Sequence, residues 1–600
     1  MAEVVSDIEV EEKPRGLPFK ATMTAAAVAS FLEACGGGGG SSVPATPPVS
    51  SKITFAKDYA AARFLQHAQF SSSETEIAAV KSMGASAWLD AQMSLPSSTG
   101  GWDWLKARGY SAIDSNKFYE MDYHANYMAW YQIMASPDGV RRRMALALSE
   151  FFVVGISGVS TLNWPQFAMA HYWDILCNNA FGNYRQLLEE VTLSIAMGEF
   201  LNTLGNQKED LATGRLPDEN YAREVMQLFT IGLQQLNIDG TAVKVNGAPV
   251  DSFTQADVSN LARVFTGYQA DDSEGYFDSV DAPPYRVRNV GYTRRPMVLN
   301  ANRHSKLEAH FLGAMVPADT EGKAALKTAL DTLFQHANVG PFFSRQMIQR
   351  LVCSNPSPAY VDRVAATFNN NGKGVRGDLA AVFKAILTDA EATQDAGLSN
   401  TNFGKLREPM VRVAQWARTF EAKSLRGTWK IGNPNYSAID ALGQSPLQAP
   451  SVFNFFRPGY VPPNTALAPL QYTAPEFQLV NESTTASYVN YLENILYQGM
   501  WVRAPELITS PENPTATDGP DIVPNYSAEL ALVGNPQALF NRLNLLLCAG
   551  QLSEASVNDM VTLFATYDQS NTSSSDNSKR SYVAKAIMFV MCCSEYLVQK

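Results

Sequence analysis

Three polar side chains recur at helical spacing in the stretch Gly214–Leu233, whose sequence is GRLPDENYAREVMQLFTIGL. Asn220, Glu224 and Gln227 occupy positions i, i+4 and i+7, so a helix would place them on one ridge. A carboxylate held between two amides could act as a general acid or base, or bind a ligand. Arg223 next to it could assist. The alternative is an ordinary amphipathic helix with a solvated polar face.

The start of this stretch has the features of a helix N-terminus. Pro217 suits the first helical turn, and the carboxylates of Asp218 and Glu219 favour the positive end of a helix dipole. Glu219 and Arg223 are spaced for an i,i+4 ion pair, which at a surface contributes only a few tenths of a kcal/mol. These features account for a helix without requiring a function.

A second group of chemically useful side chains lies in NRHSKLEAHFLG, where His304, Glu308 and His310 are three potential metal ligands. His304 and Glu308 share a face only if this stretch is helical, and His310 then points elsewhere. We therefore predict no metal site, and expect hydrogen-bonded structural histidines beside a turn. His304 remains a candidate to assist Glu224 in catalysis.

The third candidate is an aromatic loop at residues 451–463, SVFNFFRPGYVPP. Phe455, Phe456, Arg457 and Tyr460 could stack on a sugar or an aromatic ligand. They could equally fill the core, which is the interpretation that we favour. These four residues are therefore candidate binding residues.

Strong catalytic motifs are absent from the sequence: it contains no H-E-x-x-H, no G-x-S-x-G and no P-loop. One G-x-G-x-x-G occurs at residues 372–377. Dinucleotide binding requires this loop between a strand and a helix, whereas the preceding run is helical in pattern. We expect a helix-to-helix turn with Asp378 as the N-cap, and we predict no cofactor.

The N-terminus has the pattern of an export signal. Basic residues precede a mildly apolar segment that ends before Cys35. The sequence LEACGGGGG resembles the lipobox of bacterial lipoproteins, in which the cysteine is lipidated. We therefore expect residues 1–34 to be a lipoprotein-type signal peptide and residues 35–55 a Gly/Ser/Pro-rich tether. The expected location is the periplasm, or the outer membrane or cell surface through lipidated Cys35.

Composition sets further bounds. The chain has 600 residues, of which 46% are hydrophobic and 18% charged, and its formal net charge is −11. This is a globular composition. Because the basic residues are scattered, we expect no nucleic-acid partner. No apolar run is long enough for a transmembrane helix, so we expect membrane attachment only through the lipid anchor.

Most of the chain has helical periodicity. Ser73 and Glu76 form a capping box at one helix start, and residues 136–154, 181–202, 341–352, 359–368 and 378–389 continue the pattern. Asn246-Gly247 stands between two β-leaning runs, a strong signal for a two-residue hairpin. Thr254 and Asp257 then begin another helix, and residues 284–300 have short strand character.

The resulting fold class is mainly α, a large multi-helix globular body with a small antiparallel β hairpin/sheet insertion. We expect residues 56–600 to form a single large helical domain. Its predicted subdivision is residues 56–235 helical, residues 236–315 a small β-containing insertion, and residues 316–600 helical.

The stretch at residues 214–233, continued by FTQADVSNLARVFTGY at 253–268, resembles the hallmark of the bacterial family called domain of unknown function 1800. The resemblance extends over roughly residues 57–600. Further stretches match in the same order along the chain: SPDGVRRRMALALSEFFV, GNYRQLLEEVTL, HSKLEAHFLG, the long run from VGPFFSRQ to AVFKAIL, KLREPMVR, LGQSPLQAPSVFNFFRPGYVPP and NRLNLLLCAGQLS.

The resemblance implies an exported, mainly helical bacterial protein, but it supplies no reaction. Members of the family are often encoded beside an exported protein similar to alkaline phosphatases and sulfatases, which makes such a protein a candidate partner. The family pattern includes Asn220, Arg223 and Glu224, so these side chains either form a buried polar network or face a ligand.

We therefore expect an exported, lipid-anchored cell-envelope protein that binds or scaffolds a surface polymer or a partner. The alternative is a hydrolase acting on an envelope or extracellular polymer. In that case Glu224 is the acid or base, and His304 and Arg223 assist it. The sequence leaves open whether the protein is an enzyme.

Overall fold

The computed structural model describes residues 53–433, 436–437, 441–502, 518–571 and 575–600. About 51% of the chain is helical, and the described strands form only small antiparallel sheets. This confirms the prediction of a mainly α fold with small β elements. The predicted signal peptide, Cys35 and all but the last three residues of the tether lie outside the described residues.

The first part of the fold is helical. Its helices are α1 (Asp58–Ala68), α2 (Glu74–Met83), α3 (Ala85–Met93), α4 (Gly101–Ala107), α5 (His124–Ala135), α6 (Gly139–Ser149), α7 (Pro165–Asn178), α8 (Tyr184–Leu193), α9 (Ile195–Phe200) and α10 (Asn220–Gln227), with 3-10 turns at Phe118–Glu120 and Ile156–Val159. Helix α7 packs against α4, α5, α6, α8 and α9. Its Tyr172 and Trp173 are fully buried, so α7 is the centre of this part of the core.

Local signals set several of these helix starts. The predicted capping box is present: the Glu76 N–H donates to Ser73 Oγ, and Glu76 Oε2 accepts from the Ser73 N–H. The prediction of one helix over residues 181–202 is wrong, because the chain is extended at Ser194. The Ser194 hydroxyl accepts from the Met197 N–H and begins α9 as a separate helix.

Short strands dominate the middle of the chain. They are β1 (Lys244–Val245), β2 (Ala248–Pro249), β3 (Tyr268–Gln269), β4 (Tyr276–Asp278), β5 (Arg286–Arg288), β6 (Val298–Leu299), β7 (Ala309–Phe311) and β8 (Ala314–Val316), with α11 (Gln255–Val264) between β2 and β3 and a 3-10 turn at Val290–Arg294. They pair as β1–β2, β3–β6, β4–β5 and β7–β8, so the described β insertion consists of separate two-stranded ribbons. Asn246 and Gly247, both with positive φ, form the predicted two-residue turn between β1 and β2.

The second half returns to helices. These are α12 (Gly322–Gln335), α13 (Val339–Leu351), α14 (Pro358–Asn369), α15 (Leu379–Thr388), α16 (Ala390–Thr393), α17 (Ala396–Ser399), α18 (Pro409–Thr419), α19 (Glu482–Gln498), α20 (Ser527–Leu530), α21 (Pro536–Cys548), α22 (Glu554–Asn571), α23 (Asp576–Cys592) and α24 (Ser594–Leu597), with a 3-10 turn at Pro475–Leu479. The strands are β9 (Lys405–Leu406), β10 (Lys423–Ser424), β11 (Gly432–Asn433), β12 (Tyr436–Ser437), β13 (Met500–Val502), β14 (Gly519–Val523) and β15 (Val598–Gln599). Strand β14 lies between β10 and β13, β11 pairs with β12, and β15 pairs with β9, all antiparallel.

The glycine-rich run at residues 372–377 forms the turn between α14 and α15. Asn370 Oδ1 accepts from the backbone N–H groups of Gly372 and Gly374. Asp378 caps α15 by accepting from the Ala381 N–H. This confirms the helix-to-helix turn. In it, the N–H groups of Gly372 and Gly374 are already bonded to the protein.

Segments distant in sequence pack together among the described residues between 53 and 600, which belong to one compact unit. The Gln66 amide of α1 donates to the Leu546 carbonyl of α21 at 3.0 Å. Division of this unit at residues 235 and 315 stays a prediction. Within the described ranges, none of the helices is both long and apolar enough to cross a membrane.

Candidate functional site

Helix α10 begins later than the sequence predicts. Pro217 precedes the helix, Glu219 is its N-cap residue, and Asn220 is its first residue. The Asp218 carboxylate accepts from the Asn220 N–H at 2.8 Å, which holds the chain in a turn before the helix starts. Tyr221 lies on the buried side of α10.

Arg223 belongs to a half-exposed network that connects α10 to α11. The Glu219 carboxylate accepts from Arg223 Nη2 at 3.3 Å, Gln255 Nε2 at 2.7 Å and Ser259 Oγ at 2.5 Å. Arg223 Nη2 also donates to Gln255 Oε1 at 2.8 Å. The predicted Glu219–Arg223 pair is therefore present, as one part of a contact between two helices.

Glu224 is separate from this network and buried, with 7% of its surface exposed. Its Oε2 atom has no hydrogen-bond partner among the described residues. Burial raises the pKa of Glu224, against the opposing effect of Arg223. Asn220 and Gln227 are half-buried. The polar ridge of α10 is thus divided between a half-exposed side and a buried carboxyl group.

His304 is buried in the β insertion, with Nδ1 2.9 Å from the Thr266 carbonyl oxygen. The cavity beside it has a volume of about 10 Å³, the space of a single water. No hydrogen bond or ion pair joins His304 to Glu224 in the described part of the chain. The arrangement predicted for a hydrolase, with His304 assisting Glu224, is therefore not assembled by direct contact.

The other members of the histidine motif lie at the surface. His310 is on β7, and its Nε2 is 2.6 Å from Glu308 Oε1 with both side chains exposed. Because residues 304–308 are irregular and His310 lies on a strand, spacing along a helix face does not apply to this motif. Within the described ranges, no group of three or more His, Cys, Asp or Glu side chains could hold a metal ion.

The aromatic loop is divided between core and surface. Phe456 is buried, Phe455 and Tyr460 are half-buried, and Arg457 is exposed. The Arg457 guanidinium lies 5.6 Å from the ring centroid of exposed Phe453. The loop thus contributes one side chain to the core and presents a cation–aromatic pair at the surface.

Sequence reasoning missed a cluster of charged side chains in the core. Lys405 Nζ lies 3.1 Å from Glu408 Oε1 and 3.7 Å from Glu476 Oε1. The Gln444 amide donates to Glu408 Oε2 at 2.7 Å. All four side chains are buried. Their segments, β9, the start of α18, the loop before residue 450 and the 3-10 turn at Pro475–Leu479, therefore meet at one ionic centre.

The same centre includes the ends of α6 and α13. Arg350 Nε lies 3.8 Å from Glu150 Oε2, and Arg350 Nη2 donates to the Glu150 carbonyl at 2.8 Å. The Arg143 guanidinium donates to the Arg350 carbonyl at 2.6 Å. We call these residues the buried network; its members are Arg143, Glu150, Arg350, Lys405, Glu408, Gln444 and Glu476.

Two carboxyl groups of the buried network have opposite pKa shifts. Burial and the neighbouring Glu408 carboxylate raise the pKa of Glu150 well above its usual range. Burial acts on Glu408 in the same direction, but Lys405, Glu150 and Arg143 outweigh it and hold its pKa at about 2. Within the buried network the protonated form of Glu150 and the ionised form of Glu408 are therefore favoured.

A cleft of about 850 Å³ opens on another side of the molecule. It lies between α4, α5, α18 and the segment at residues 420–430. Its volume is within the range of roughly 300–1,000 Å³ that is typical of ligand-binding pockets. Its aromatic lining consists of Trp104, Tyr110, Tyr127, Tyr131 and Trp429.

Helical spacing builds the aromatic wall of the cleft. Tyr127 and Tyr131 are one turn apart on α5, and Arg108 follows Trp104 by one turn at the end of α4. The Trp104 and Tyr131 rings are stacked at a centroid distance of 5.2 Å. The Arg108 guanidinium lies 4.1 Å from the Trp104 centroid, and Trp429 lies 5.5 Å from Tyr131.

Charge in the cleft is opposite in sign to that of the chain. Five cationic side chains and two carboxylates line it, a formal sum of +3, whereas the whole chain has −11. The cationic residues are Arg108, Arg418, Lys423, Arg426 and Lys430, and the acidic ones are Glu76 and Glu421. A concave site with one predominant sign concentrates ligands of the other sign.

A buried carboxylate from β14 fixes the segment that forms one side of the cleft. Asp521 accepts from the Ser424 hydroxyl at 2.7 Å, from the Arg426 backbone N–H at 2.6 Å and from the Thr428 hydroxyl. Trp429, which follows, has a left-handed backbone conformation with φ of 52°. Such backbone is costly for a bulky residue, so the anchored loop holds the indole in place.

The sequence carried a partial signal for this cleft. Aromatic and basic side chains at i,i+4 spacing, Trp104 with Arg108 and Tyr127 with Tyr131, lie on helices. Nothing local indicates that Trp429 meets them. The cleft depends on a tertiary contact between segments that are hundreds of residues apart.

The chain matches the sequence model of one known protein family. The model of the family described as "Protein of unknown function (DUF1800)" matches residues 63–598. The chain belongs to the DUF1800 family. No curated protein and no solved structure matches the DUF1800 chain.

The two unpredicted features differ in their relation to the DUF1800 motifs. Every member of the buried network except Glu476 lies in a stretch that carried the family resemblance, such as SPDGVRRRMALALSEFFV, KLREPMVR and LGQSPLQAP. The residues that line the cleft lie outside all of those stretches. Both the buried network and the cleft lie within residues 63–598, which the family model matches.

Proposed function

We propose that this DUF1800 protein is an exported cell-envelope protein that binds a glycan polymer in the cleft. The observation that carries the proposal is the aromatic wall beside the cleft of about 850 Å³, where half-buried Tyr131 stacks on Trp104 and Trp429 packs against Tyr131 at a tilt. Aromatic side chains supply large rigid surfaces with polar edges, on which the apolar faces of sugar rings pack. Because the cleft is open, it can hold one segment of a longer glycan polymer. Scaffolding of a polymer requires this.

Affinity electrophoresis of the full chain in gels that contain purified envelope polysaccharide tests the binding proposal. Tyr131→Ala removes one ring from the wall, and we expect it to weaken retardation by about three- to tenfold. Tyr276→Ala is the matched control, because Tyr276 is also a half-buried tyrosine beside arginines but lies on β4. If both variants bind as tightly as the wild type, the cleft is not the glycan site.

Export and anchoring are the second part of the proposal. They are supported by the signal pattern before Cys35 and by the family resemblance. We expect the wild-type chain to fractionate with the cell envelope and Cys35→Ala to lose its membrane attachment. Recovery of the wild type from the cytosolic fraction would overturn this part without affecting glycan binding. The proposed protein partner is an exported protein similar to alkaline phosphatases and sulfatases, on the resemblance alone.

A hydrolase that acts on the bound polymer is the second candidate. It is favoured by the two carboxylates in the cleft, Glu76 and Glu421, since glycoside hydrolysis uses a pair of carboxyl groups. Glu76 is committed to capping α2 and accepts from Gln69, whereas Glu421 is exposed. Glu224, the residue predicted for this role, is not among the lining residues.

Measuring the reducing ends released from the polymer distinguishes hydrolysis by Glu421 in the cleft from hydrolysis by Glu224. Loss of release in Glu421→Gln, with normal release in Glu224→Gln, would place hydrolysis in the cleft. The reverse result would support the assignment to Glu224. Binding without any release by the wild type would exclude the hydrolase and leave the binding function.

A further inference from the structure

We infer that the glycan bound in the cleft carries isolated anionic groups, and that Lys423 and Arg108 at the rim bind them. This inference rests on the proposed glycan-binding function and adds the chemical class of the ligand. It starts from the charge of the lining, five cationic side chains against two carboxylates in an acidic protein. A neutral sugar chain would not need this excess of cations.

Arg418 supplies positive charge from behind the cleft wall. Its Nε donates to the Ile133 carbonyl at 2.6 Å and its Nη2 to the Ser136 carbonyl at 2.8 Å, at the C-terminal end of α5. These partners are uncharged, and among the described residues no carboxylate forms an ion pair with Arg418. Burial lowers the pKa of Arg418 to about 10, so the guanidinium stays charged at neutral pH. The positive charge of Arg418 is therefore only partly neutralised by other groups inside the cleft.

Lys423 and Arg108 place donors at the opening. Lys423 is exposed on β10, and no ion-pair partner is found for it within the described ranges. Arg108 is half-buried over the ring of buried Trp104, so a ligand that reaches this part of the wall meets the guanidinium. Ammonium and guanidinium groups bind carboxylate and phosphate oxygens through charge-assisted hydrogen bonds.

The charge of the rest of the protein limits the density of charge on the ligand. The chain carries −11 overall although the cleft lining sums to +3. A polymer with a charge on every unit, such as a nucleic acid, would be repelled outside the cleft. A glycan with one anionic group every few sugars can place that group in the cleft and keep neutral units along the surrounding surface.

Titration of the full chain by tryptophan fluorescence and calorimetry tests this inference with defined oligosaccharides. The carboxylated probe is a hyaluronan hexasaccharide and the phosphorylated probe is phosphorylated maltohexaose. Maltohexaose and the N-acetylglucosamine hexamer are the neutral references, and a single-stranded oligonucleotide is the dense polyanion. We expect at least one anionic probe to bind about tenfold tighter than its neutral reference at low salt, with the difference shrinking at about 0.5 M salt. The tighter of the two identifies the anionic group.

Lys423→Glu is the decisive variant, because its side chain is exposed and folding does not depend on it. We expect it to weaken binding of the anionic probe by about three- to tenfold more than it weakens binding of the neutral probes. Lys306→Glu is the matched control: it makes the same change in net charge at an exposed site outside the cleft. An equal loss in both variants would contradict recognition at the rim.

The outcomes separate the inference from the function on which it rests. Equal affinity for anionic and neutral probes overturns the inference and leaves glycan binding. Failure to bind any oligosaccharide overturns both. Tightest binding of the oligonucleotide also overturns both, because the cleft would then be a nucleic-acid site.

Discussion

Lys405 Nζ lies 3.1 Å from Glu408 Oε1, and the two side chains are only 2% and 1% exposed. Removing two charges from water costs several kcal/mol per ion, which only close partners and complete hydrogen bonding can offset. Here the offset comes from Gln444 on the carboxylate and from the Arg350 carbonyl on the ammonium. The pair therefore makes the surrounding segments depend on one another.

We predict that Lys405→Met lowers the free energy of unfolding by about 3–5 kcal/mol, because it leaves the Glu408 charge buried without its cation. Lys327→Met is the matched control. Lys327 Nζ lies 2.6 Å from Asp331, but its side chain is 75% exposed, so the expected loss is below about 1 kcal/mol. Urea denaturation followed by circular dichroism measures both. Similar losses would contradict the proposed role of burial.

Two of the three glutamates of the buried network, Glu150 and Glu408, should respond differently to the same substitution. The raised pKa of Glu150 favours its protonated form, and in that form Glu150→Gln replaces one uncharged group with another of similar shape. We expect a change in unfolding free energy below about 1 kcal/mol. Glu408→Gln removes the ion that neutralises Lys405 and should cost about 3–5 kcal/mol. The same denaturation experiment checks this pair, and a large loss for Glu150→Gln would show that Glu150 is ionised.

The burial of His67 makes the free energy of unfolding depend on pH in a defined way. Burial, reinforced by Arg63 and other cations, lowers the pKa of His67 to about 3, whereas an unfolded histidine titrates near 6.5. Between these values the unfolded chain binds one more proton at this site, so stability falls as pH falls from about 6.5 toward 3. The expected slope is about 1.4 kcal/mol per pH unit.

His67→Gln should remove this contribution. We expect the variant to lose less stability than the wild type between pH 6.5 and 4.5, even if it is less stable at pH 7. Urea midpoints at several pH values give the slope. His171 also has a lowered pKa, about 4, and its contribution should persist in the variant. Parallel curves for both proteins would mean that His67 is protonated in the folded state.

Asp521 is predicted to be a positioning residue for the cleft. Its carboxylate accepts from Ser424, the Arg426 backbone and Thr428. Asp521→Asn replaces one accepting oxygen with an amide that donates, which we expect to cost about 1–3 kcal/mol and loosen the segment. Faster proteolysis near residue 425 and a weaker glycan affinity should appear together. Unchanged proteolysis with normal binding would show that other contacts hold the loop.

Local features of the fold were predictable from the sequence because they depend on neighbouring residues. The Asn246-Gly247 turn and the Ser73–Glu76 capping box are both present as expected. The break at Ser194 was not predicted. The apolar periodicity of residues 181–202 continues through the break, and only the Ser194 hydroxyl indicates that a new helix begins there.

The candidate sites were harder to predict because they depend on which segments meet. The pattern of α10 placed Glu224 and Arg223 next to each other, yet the structure buries one and leaves the other in a half-exposed helix contact. The cleft combines Trp104 with Trp429, and no periodicity connects residues so distant. Charged motifs such as KLREPMVR were visible, but their burial depends on the tertiary fold.

The bonds from α1 to α21 also bear on the order in which the protein folds. The Gln66 amide and the Leu546 carbonyl are 480 residues apart in the chain. Contacts at such separation form late, because a long loop must close before they form. We expect the docking of α1 to be among the last folding events, and pulsed hydrogen exchange should find its amides protected after those of α7. A chain whose first helix waits for its last third stays accessible to chaperones and proteases until synthesis is nearly finished.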